Sequence, residues 1–274
     1  MSGADCAISV AVGGFVIVIG IVFFHALMGL RRVQFDGAAP PGFWLASMRE
    51  VPAFLRIAVW GVSGRPRLQP EDVDAGAAVV VLLVHGALTD GTCTTGWKNA
   101  LALAGVNAPI LCPDHGILVR SLDVHAHKIR AFIRRIHVHC PQAKLVLVGH
   151  SLGGLVIRKL LHSDDELCAA TLGVVSVASP HGGTQSLRGF GRRATMATRM
   201  RALETLVTHS VFIASAVDAI VYPKTTSFPL GPMPAQGCSV WSFDQVGHAA
   251  LLVHPEVSAQ IALSVLEMIA HVDG

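Results

Sequence analysis

The sequence predicts an α/β fold, in which a mostly parallel sheet is flanked by helices and preceded by one N-terminal transmembrane helix. Residues 6–30 contain no Asp, Glu, Lys or Arg. Beyond residue 76, short apolar runs rich in Val, Ile and Leu alternate with segments of helical spacing, which is typical of parallel strands buried on both faces. Only 14% of the residues are charged and 52% are hydrophobic, a composition that excludes a disordered chain.

The uncharged N-terminal run is long enough for a membrane anchor, because about 20 helical residues span a bilayer core. Arg31 and Arg32 follow it at the level of the headgroups. A cleaved signal peptide would need a positive residue before a shorter run, and a buried core helix is the other alternative. No Lys or Arg precedes the run, so the positive-inside rule favours a cytoplasmic C-terminal domain. We expect a single span in a bacterial inner membrane, with its orientation left open.

Three regions are predicted: the anchor at residues 1–32, an amphipathic connector and linker at residues 33–76, and a folded domain at residues 77–274. The connector has two interpretations, a helix lying at the membrane interface or a connecting helix packed on the domain that follows. Pro52 predicts a break or kink in either case. Its apolar residues at helical spacing are Trp44, Met48, Val51, Leu55 and Val59, with Arg49 and Arg56 on another face.

Within the folded domain, strand and helix patterns alternate along the chain. Continuous β-branched runs predict strands, and apolar residues three or four apart predict helices. The expected strands are residues 77–84, 106–112, 145–148, 172–178, 207–214 and 239–243, and the expected helices are residues 121–139, 153–162 and 257–271.

Charge and cysteine usage exclude several classes of function. The net charge is only +3 and the basic residues are scattered, so no nucleic-acid partner is expected. The cysteines are too far apart for a metal or redox motif. One cluster resembles a metal site, but side chains two residues apart on a helix point to different faces. We therefore expect neither a metal nor another cofactor. That cluster is His125, His127, His137, His139 and Cys140.

The most informative segment is Gly-His-Ser-Leu-Gly-Gly at residues 149–154. It fits the G-x-S-x-G pattern and lies between a predicted strand and a predicted helix, which is the context of a nucleophile elbow. Ser151 is the predicted nucleophile. The N–H of Leu152 is one predicted oxyanion donor, and the N–H of Ala87, after the first strand of the domain, is the other. We expect His85 to brace that loop rather than to act as a base.

Five segments, in this order along the chain, resemble the α/β-hydrolases, and more narrowly the bacterial triacylglycerol lipases and esterases. The resemblance covers residues 77–270, and the GPI inositol-deacylase relatives carry similar segments. The first 75 residues match no part of this family. The resemblance implies the α/β-hydrolase fold and a cap between the fourth and fifth strands. Residues 185–205 lie there and fit either a basic, apolar lid or a core helix with a solvated basic face. The matching segments are residues 81–86, 149–154, 178–184, 218–223 and 246–248.

In this family the triad follows the order serine, acid, histidine. Asp218 follows the penultimate strand in a loop that resembles the family's acid loop, and Asp244 is its rival. His248 lies in a loop before the last helix, and His254 is the alternative base. The predicted catalytic residues are therefore Ser151, Asp218 and His248.

These features predict a membrane-anchored serine hydrolase that cleaves carboxylic esters, and lipid esters above all, through an acyl-enzyme. The expected partners are the ester substrate and the membrane. An acyltransferase or glycolipid deacylase of the same fold, or a catalytically idle membrane-tethered binding domain, are the alternatives. Because every predicted catalytic group lies beyond residue 80, a chain that starts near residue 65 is expected to remain active. The sequence gives neither the natural substrate nor the oligomeric state.

Overall fold

The computed structural model describes residues 20, 22–30, 32–34, 37–62, 68–116, 121–184, 209–222, 224–227 and 237–270. Its centre is a six-stranded sheet with the order β2-β1-β3-β4-β5-β6. Every neighbouring pair is parallel, so the carboxyl ends of all strands meet at one edge. The strands are β1 (Val79–Val84), β2 (Ile110–Leu111), β3 (Lys144–His150), β4 (Thr171–Val177), β5 (Ser210–Ala214) and β6 (Cys238–Ser242).

Helices cover both faces of the sheet, and each face has its own apolar core. All six residues of β1 are buried, because alternate side chains enter opposite cores. The helices are α1 (Phe43–Val62), α2 (Thr95–Leu103), α3 (Leu122–His139), α4 (Leu152–His162), α5 (Asp165–Ala170) and α6 (Pro255–Ala270). Helices α2 and α6 fill one core, and α3 and α4 fill the other. This arrangement confirms the predicted α/β class with a parallel sheet between helices.

The predicted elements differ from the observed ones mainly around β2. The expected strand at residues 106–112 is reduced to Ile110–Leu111. The Val106 N–H bonds to the Leu101 carbonyl at the end of α2, and Pro109 has no N–H to donate to a neighbouring strand. Helices α2 and α5 were not predicted. The expected lid at residues 185–205 lies outside the described residues.

The N-terminal part of the described chain consists of helical residues 22–30 and 32–34, followed by α1. Most of the predicted transmembrane run lies outside the described residues. In the part of the chain that is described, no helix has both the length and the apolar character needed to cross a membrane.

Helix α1 packs on the folded domain through one face and continues through Pro52 without the predicted break. Its buried residues include Phe43, Ala46, Glu50 and Ala53. Of the apolar residues at helical spacing, Trp44, Met48, Leu55 and Val59 are exposed and Val51 is half-buried, so most of this stripe faces away from the domain. The connector therefore contacts the domain through Phe43, small residues and a carboxylate, and it presents apolar side chains on its free face.

Candidate active site

Ser151 lies in the tight turn that joins β3 to α4. Its φ of 53° and ψ of −117° fall in a region that L-residues rarely adopt. The turn leaves no space for side chains on either side. A Cβ on Gly149 would lie 2.6 Å from the Gly154 nitrogen, and one on Gly153 would lie 2.6 Å from the His85 carbonyl oxygen. These two glycines therefore permit a strained turn that holds the serine at the carboxyl edge of the sheet.

His248 and Asp218 form a buried pair at the same edge. The His248 Nδ1 atom lies 2.7 Å from the Asp218 Oδ2 atom, and the two residues are only 6% and 1% exposed. The other carboxylate oxygen, Oδ1, accepts the N–H groups of Ile220 at 2.7 Å and Val221 at 2.8 Å. The carboxylate is thus fixed by its own loop, and His248 donates its Nδ1–H to it, which leaves Nε2 as the acceptor.

The charges around His248 decide its protonation. Burial alone would lower its pKa, but the charge and hydrogen bond of Asp218, together with the charge of Glu50, outweigh burial and raise the pKa above the ordinary value of 6.5. His150 lies against it, with ring centroids 4.7 Å apart, and its Nε2–H donates to the His248 carbonyl. Burial, reinforced by the nearby His248, lowers the pKa of His150 well below its usual range. His150 is therefore a neutral support for the loop of His248.

The two predicted oxyanion donors belong to segments that are next to the serine. Leu152 is the first residue of α4, whose N-terminus carries free N–H groups and a positive dipole end. Ala87 follows β1 and Gly86, and a Cβ on Gly86 would lie 3.2 Å from the Ser151 Cβ. The loop of Ala87 is therefore next to the serine.

His85 braces this loop, as predicted. Its Nδ1–H donates to the Gly86 carbonyl at 2.8 Å, and its Nε2 accepts the N–H of His115 at 3.3 Å. The two imidazole rings stack with centroids 3.9 Å apart. Burial and the adjacent His85 lower the pKa of His115 to about 3, so this stack contains a neutral His115.

The rival acid and base lie away from this pair. Asp244 is 60% exposed, accepts a hydrogen bond from Ser242 and lies 3.6 Å from the Lys224 ammonium. His254 immediately precedes α6, and its ring lies 6.4 Å from that of Phe243. Within the described residues, neither Asp244 nor His254 forms a side-chain hydrogen bond with His248 or Asp218.

The segment after β4, residues 178–184, supports the acid loop. The Thr184 hydroxyl donates to the Ile220 carbonyl and accepts the N–H of Tyr222. His181 is buried and hydrogen-bonds through Nε2 to the Ser176 hydroxyl at 2.7 Å. Burial and the charge of Arg158 lower the pKa of His181 to about 3. The lipase-like Pro-His-Gly-Gly-Thr segment therefore connects the sheet to the loop of Asp218.

Two residues of the N-terminal region reach the site, and the sequence analysis assigned neither to it. Glu50 of α1 accepts the N–H groups of Ala249 at 2.8 Å and Ala250 at 3.0 Å, directly after His248. Arg32 donates to the carbonyls of Asp218 at 3.1 Å and Ala216 at 3.0 Å. The sequence contains one signal that could have pointed to Glu50: it is the only acidic residue in the 20 residues of α1.

These contacts argue against the expectation that a chain starting near residue 65 keeps its activity. That chain would lack both Arg32 and Glu50, and the N–H groups of Ala249 and Ala250 would lose their acceptors. The loops of His248 and Asp218 would then lose the side chains that hold them. The division into anchor, connector and catalytic domain stays a prediction, but the connector belongs to the surroundings of the site.

The histidine and cysteine cluster on α3 does not converge on one point. His125 turns inward to His115, the His137 ring contacts the Ala143 carbonyl, and the Cys140 thiol donates to the Asp74 carbonyl. Across the described ranges, no group of three or more such side chains is placed to hold a metal ion.

Comparison with known proteins identifies the fold. No protein-family profile matches the chain, and no curated protein matches it. Solved structures do match. Aspergillus fumigatus lipase B is 17% identical with a TM-score of 0.60, and the match covers 71% of this chain and 54% of that one. The chain thus spans little more than half the length of that lipase.

Two further structures extend the comparison. Est1E from Butyrivibrio proteoclasticus is 13% identical with a TM-score of 0.55, and the match covers 74% of this chain and 92% of that one. The monoacylglycerol lipase of Paleococcus ferrophilus is 14% identical with a TM-score of 0.53, covering 73% and 97%. Together with the parallel sheet and the serine turn, these similarities show that the chain has the α/β-hydrolase fold.

Proposed function

We propose that this protein is a serine hydrolase that cleaves carboxylic esters, with Ser151 as nucleophile, His248 as base and Asp218 as the acid that orients the base. The observation that carries the proposal is the buried His248–Asp218 pair at the same sheet edge as the strained Ser151 turn. A structural turn has no need for a serine in this conformation. A buried imidazole with a raised pKa beside a carboxylate is an arrangement suited to proton transfer.

The reaction follows from these positions. His248 Nε2 removes the proton of the Ser151 hydroxyl as its oxygen attacks the acyl carbon. The N–H groups of Ala87 and Leu152 hold the negative charge that develops on the carbonyl oxygen. The imidazolium is stabilised by Asp218 and gives its proton to the departing alcohol. Water then attacks the acyl-enzyme by the same route and frees the serine.

Turnover of p-nitrophenyl esters of increasing chain length tests the activity. The wild-type protein should release p-nitrophenol, whereas Ser151→Ala should lose several orders of magnitude in rate, because it removes the nucleophile but little volume. Ser239→Ala on the exposed face of β6 is the matched control and should keep the wild-type rate. Near wild-type turnover by Ser151→Ala would contradict the assignment.

We further propose that the hydrolase is attached to a membrane and acts on lipid esters. The uncharged residues 6–30 support this. Among the described helical residues of this run, Phe23 at 70% and Leu30 at 65% are exposed, and so are Met48 and Val59 of α1, at 62% each. Large exposed apolar surfaces on a folded domain mark interaction sites. The same helices supply Glu50 and Arg32, so the catalytic loops lie beside this surface.

Carbonate extraction of a bacterial membrane fraction tests the attachment. The full chain should stay with the membranes, because burying about twenty apolar residues in lipid is effectively irreversible. A chain that starts at residue 20 retains Arg32 and Glu50 and serves as the control, which carbonate should release. Finding the untruncated full chain in the soluble fraction would contradict the anchor. The orientation is a separate question: if the domain lies in the cytoplasm, as the positive-inside rule favours, protease added outside spheroplasts leaves it intact, and if it lies outside, the protease cleaves it.

A further inference from the structure

The two loops that carry His248 and Asp218 are each held by a residue from the N-terminal region. Glu50 is 1% exposed and accepts two consecutive backbone N–H groups, one on each carboxylate oxygen. These N–H groups belong to Ala249 and Ala250, directly after His248. Its carboxylate also lies against the same loop, because a Cβ on Gly247 would overlap it. Glu50 thus touches the residues on both sides of the base.

Arg32 makes the equivalent contact with the acid loop. Its guanidinium donates through two nitrogens to two carbonyls, those of Asp218 and Ala216. It lies over the ring of Tyr222 at 4.6 Å and over that of Phe43 at 5.4 Å. A planar guanidinium that binds two carbonyls and also contacts two rings has little freedom left, so it fixes the loop in both distance and direction.

We propose that Glu50 and Arg32 are positioning residues of the hydrolytic site: Glu50 fixes the loop of His248 and Arg32 fixes the loop of Asp218. The inference rests on the proposed function and extends it. The N-terminal region then completes the active site in addition to linking it to the membrane. A shift of about 1 Å between catalytic groups can cost 10²-fold in rate, which is the sensitivity that such contacts protect against.

Glu50 also has an effect that a purely structural carboxylate would lack. The groups that face His248 are Asp218, Glu50 and the neutral His150, and His25 lies 3.7 Å from Glu50. The negative charge of Glu50 favours the protonated imidazole. Removing that charge should therefore lower the pKa of His248 and move the acidic limb of the rate profile to lower pH.

Glu50→Gln in the full chain tests this role. A glutamine presents an amide NH₂ to one of the two N–H groups, so one bond is lost and two donors face each other. We expect kcat to fall about tenfold to hundredfold, with KM within about twofold because no ester contact is removed. The acidic limb of kcat/KM should shift to lower pH. The exposed Glu166→Gln makes the same change of charge on α5 and should alter neither quantity.

Arg32→Lys is the second variant, with the exposed Arg49→Lys as its control. Lysine keeps the charge but cannot reach both carbonyls as a fork, so kcat should again fall about tenfold or more, without a shift of the limb. Each kcat is divided by the concentration of active sites, which is measured by titration with a fluorophosphonate. A smaller folded fraction in a variant therefore does not lower its kcat.

The outcomes separate the two proposals. The positioning roles would be overturned if both variants kept the wild-type kcat per titrated site and the acidic limb of kcat/KM stayed at the wild-type pH in Glu50→Gln. If neither variant folds, the residues serve stability alone and the inference also fails. If the wild-type chain neither binds the fluorophosphonate nor cleaves esters, it is the proposed function that fails.

Discussion

Replacing Asp218 by asparagine should reverse the tautomer of His248. Oδ1 of residue 218 is fixed by the N–H groups of Ile220 and Val221, so the asparagine carbonyl must take that place. Its NH₂ group then occupies the position of Oδ2, 2.7 Å from His248 Nδ1. The imidazole can only accept there, which puts its proton on Nε2. That tautomer cannot remove a proton from Ser151.

The expected loss is about 10⁴-fold in kcat, as tautomer reversal causes in serine proteases. This corresponds to ~5.4 kcal/mol of transition-state stabilisation. Hydrolysis of p-nitrophenyl butyrate measures it. Asp244→Asn is the matched control and should stay within about twofold, because Asp244 is a solvated residue of an exposed turn. If Asp244→Asn were the damaging change and Asp218→Asn were mild, the assignment of the acid would be wrong.

Three further predictions follow from the surroundings of the site. Because the pKa of His248 is raised, the acidic limb of kcat/KM should have its midpoint above pH 6.5, and a midpoint below 6.5 would contradict the charge assignment. His115 and His181 are buried and stay neutral down to about pH 3, whereas in the unfolded chain they are protonated below about 6.5. The free energy of unfolding should therefore fall as pH falls from 6.5 towards 3, by on the order of 1 kcal/mol per pH unit for each histidine. The urea midpoint should fall with it, and a flat profile would refute their burial. Gly153→Ala should cost about 3 kcal/mol, because the new Cβ meets a backbone carbonyl at 2.6 Å. Gly61→Ala, with its nearest contact at 3.8 Å, should cost nothing measurable by the same urea titration.

The sheet was predictable because buried parallel strands are continuous apolar runs. All six residues of β1 are buried, and a continuous run of valines and leucines of that length is typical of a strand buried on both faces. The serine turn was predictable because the G-x-S-x-G pattern lies between a strand and a helix. Of its two glycines, Gly149 is required by the backbone of the nearby Gly154, and Gly153 by the carbonyl of the distant His85. The His248–Asp218 pair, 30 residues apart, was predictable only through the order of segments that the family resemblance supplied.

The contribution of the N-terminal region was not predictable, because the same residues fit two environments. Arg32 follows an uncharged run, which is equally the pattern of a stop at lipid headgroups and of a buried guanidinium that binds carbonyls. The apolar residues of α1 at helical spacing fitted either a stripe that faces a membrane or a face packed on the domain, and the structure exposes Met48 and Val59 and buries Glu50. Periodicity shows that a helix has an apolar stripe, but it does not show whether that stripe packs on the rest of the chain or faces away from it.

Labelling of the full-length protein with a fluorophosphonate, followed by mass spectrometry of its peptides, tests the central claim most directly. The reagent reacts with serines that an adjacent base activates and leaves other serines untouched. The account predicts a single adduct on Ser151, formed quickly in the wild-type chain and strongly slowed in Asp218→Asn. An unlabelled Ser151 in folded wild-type protein would contradict the claim that this turn holds an active nucleophile.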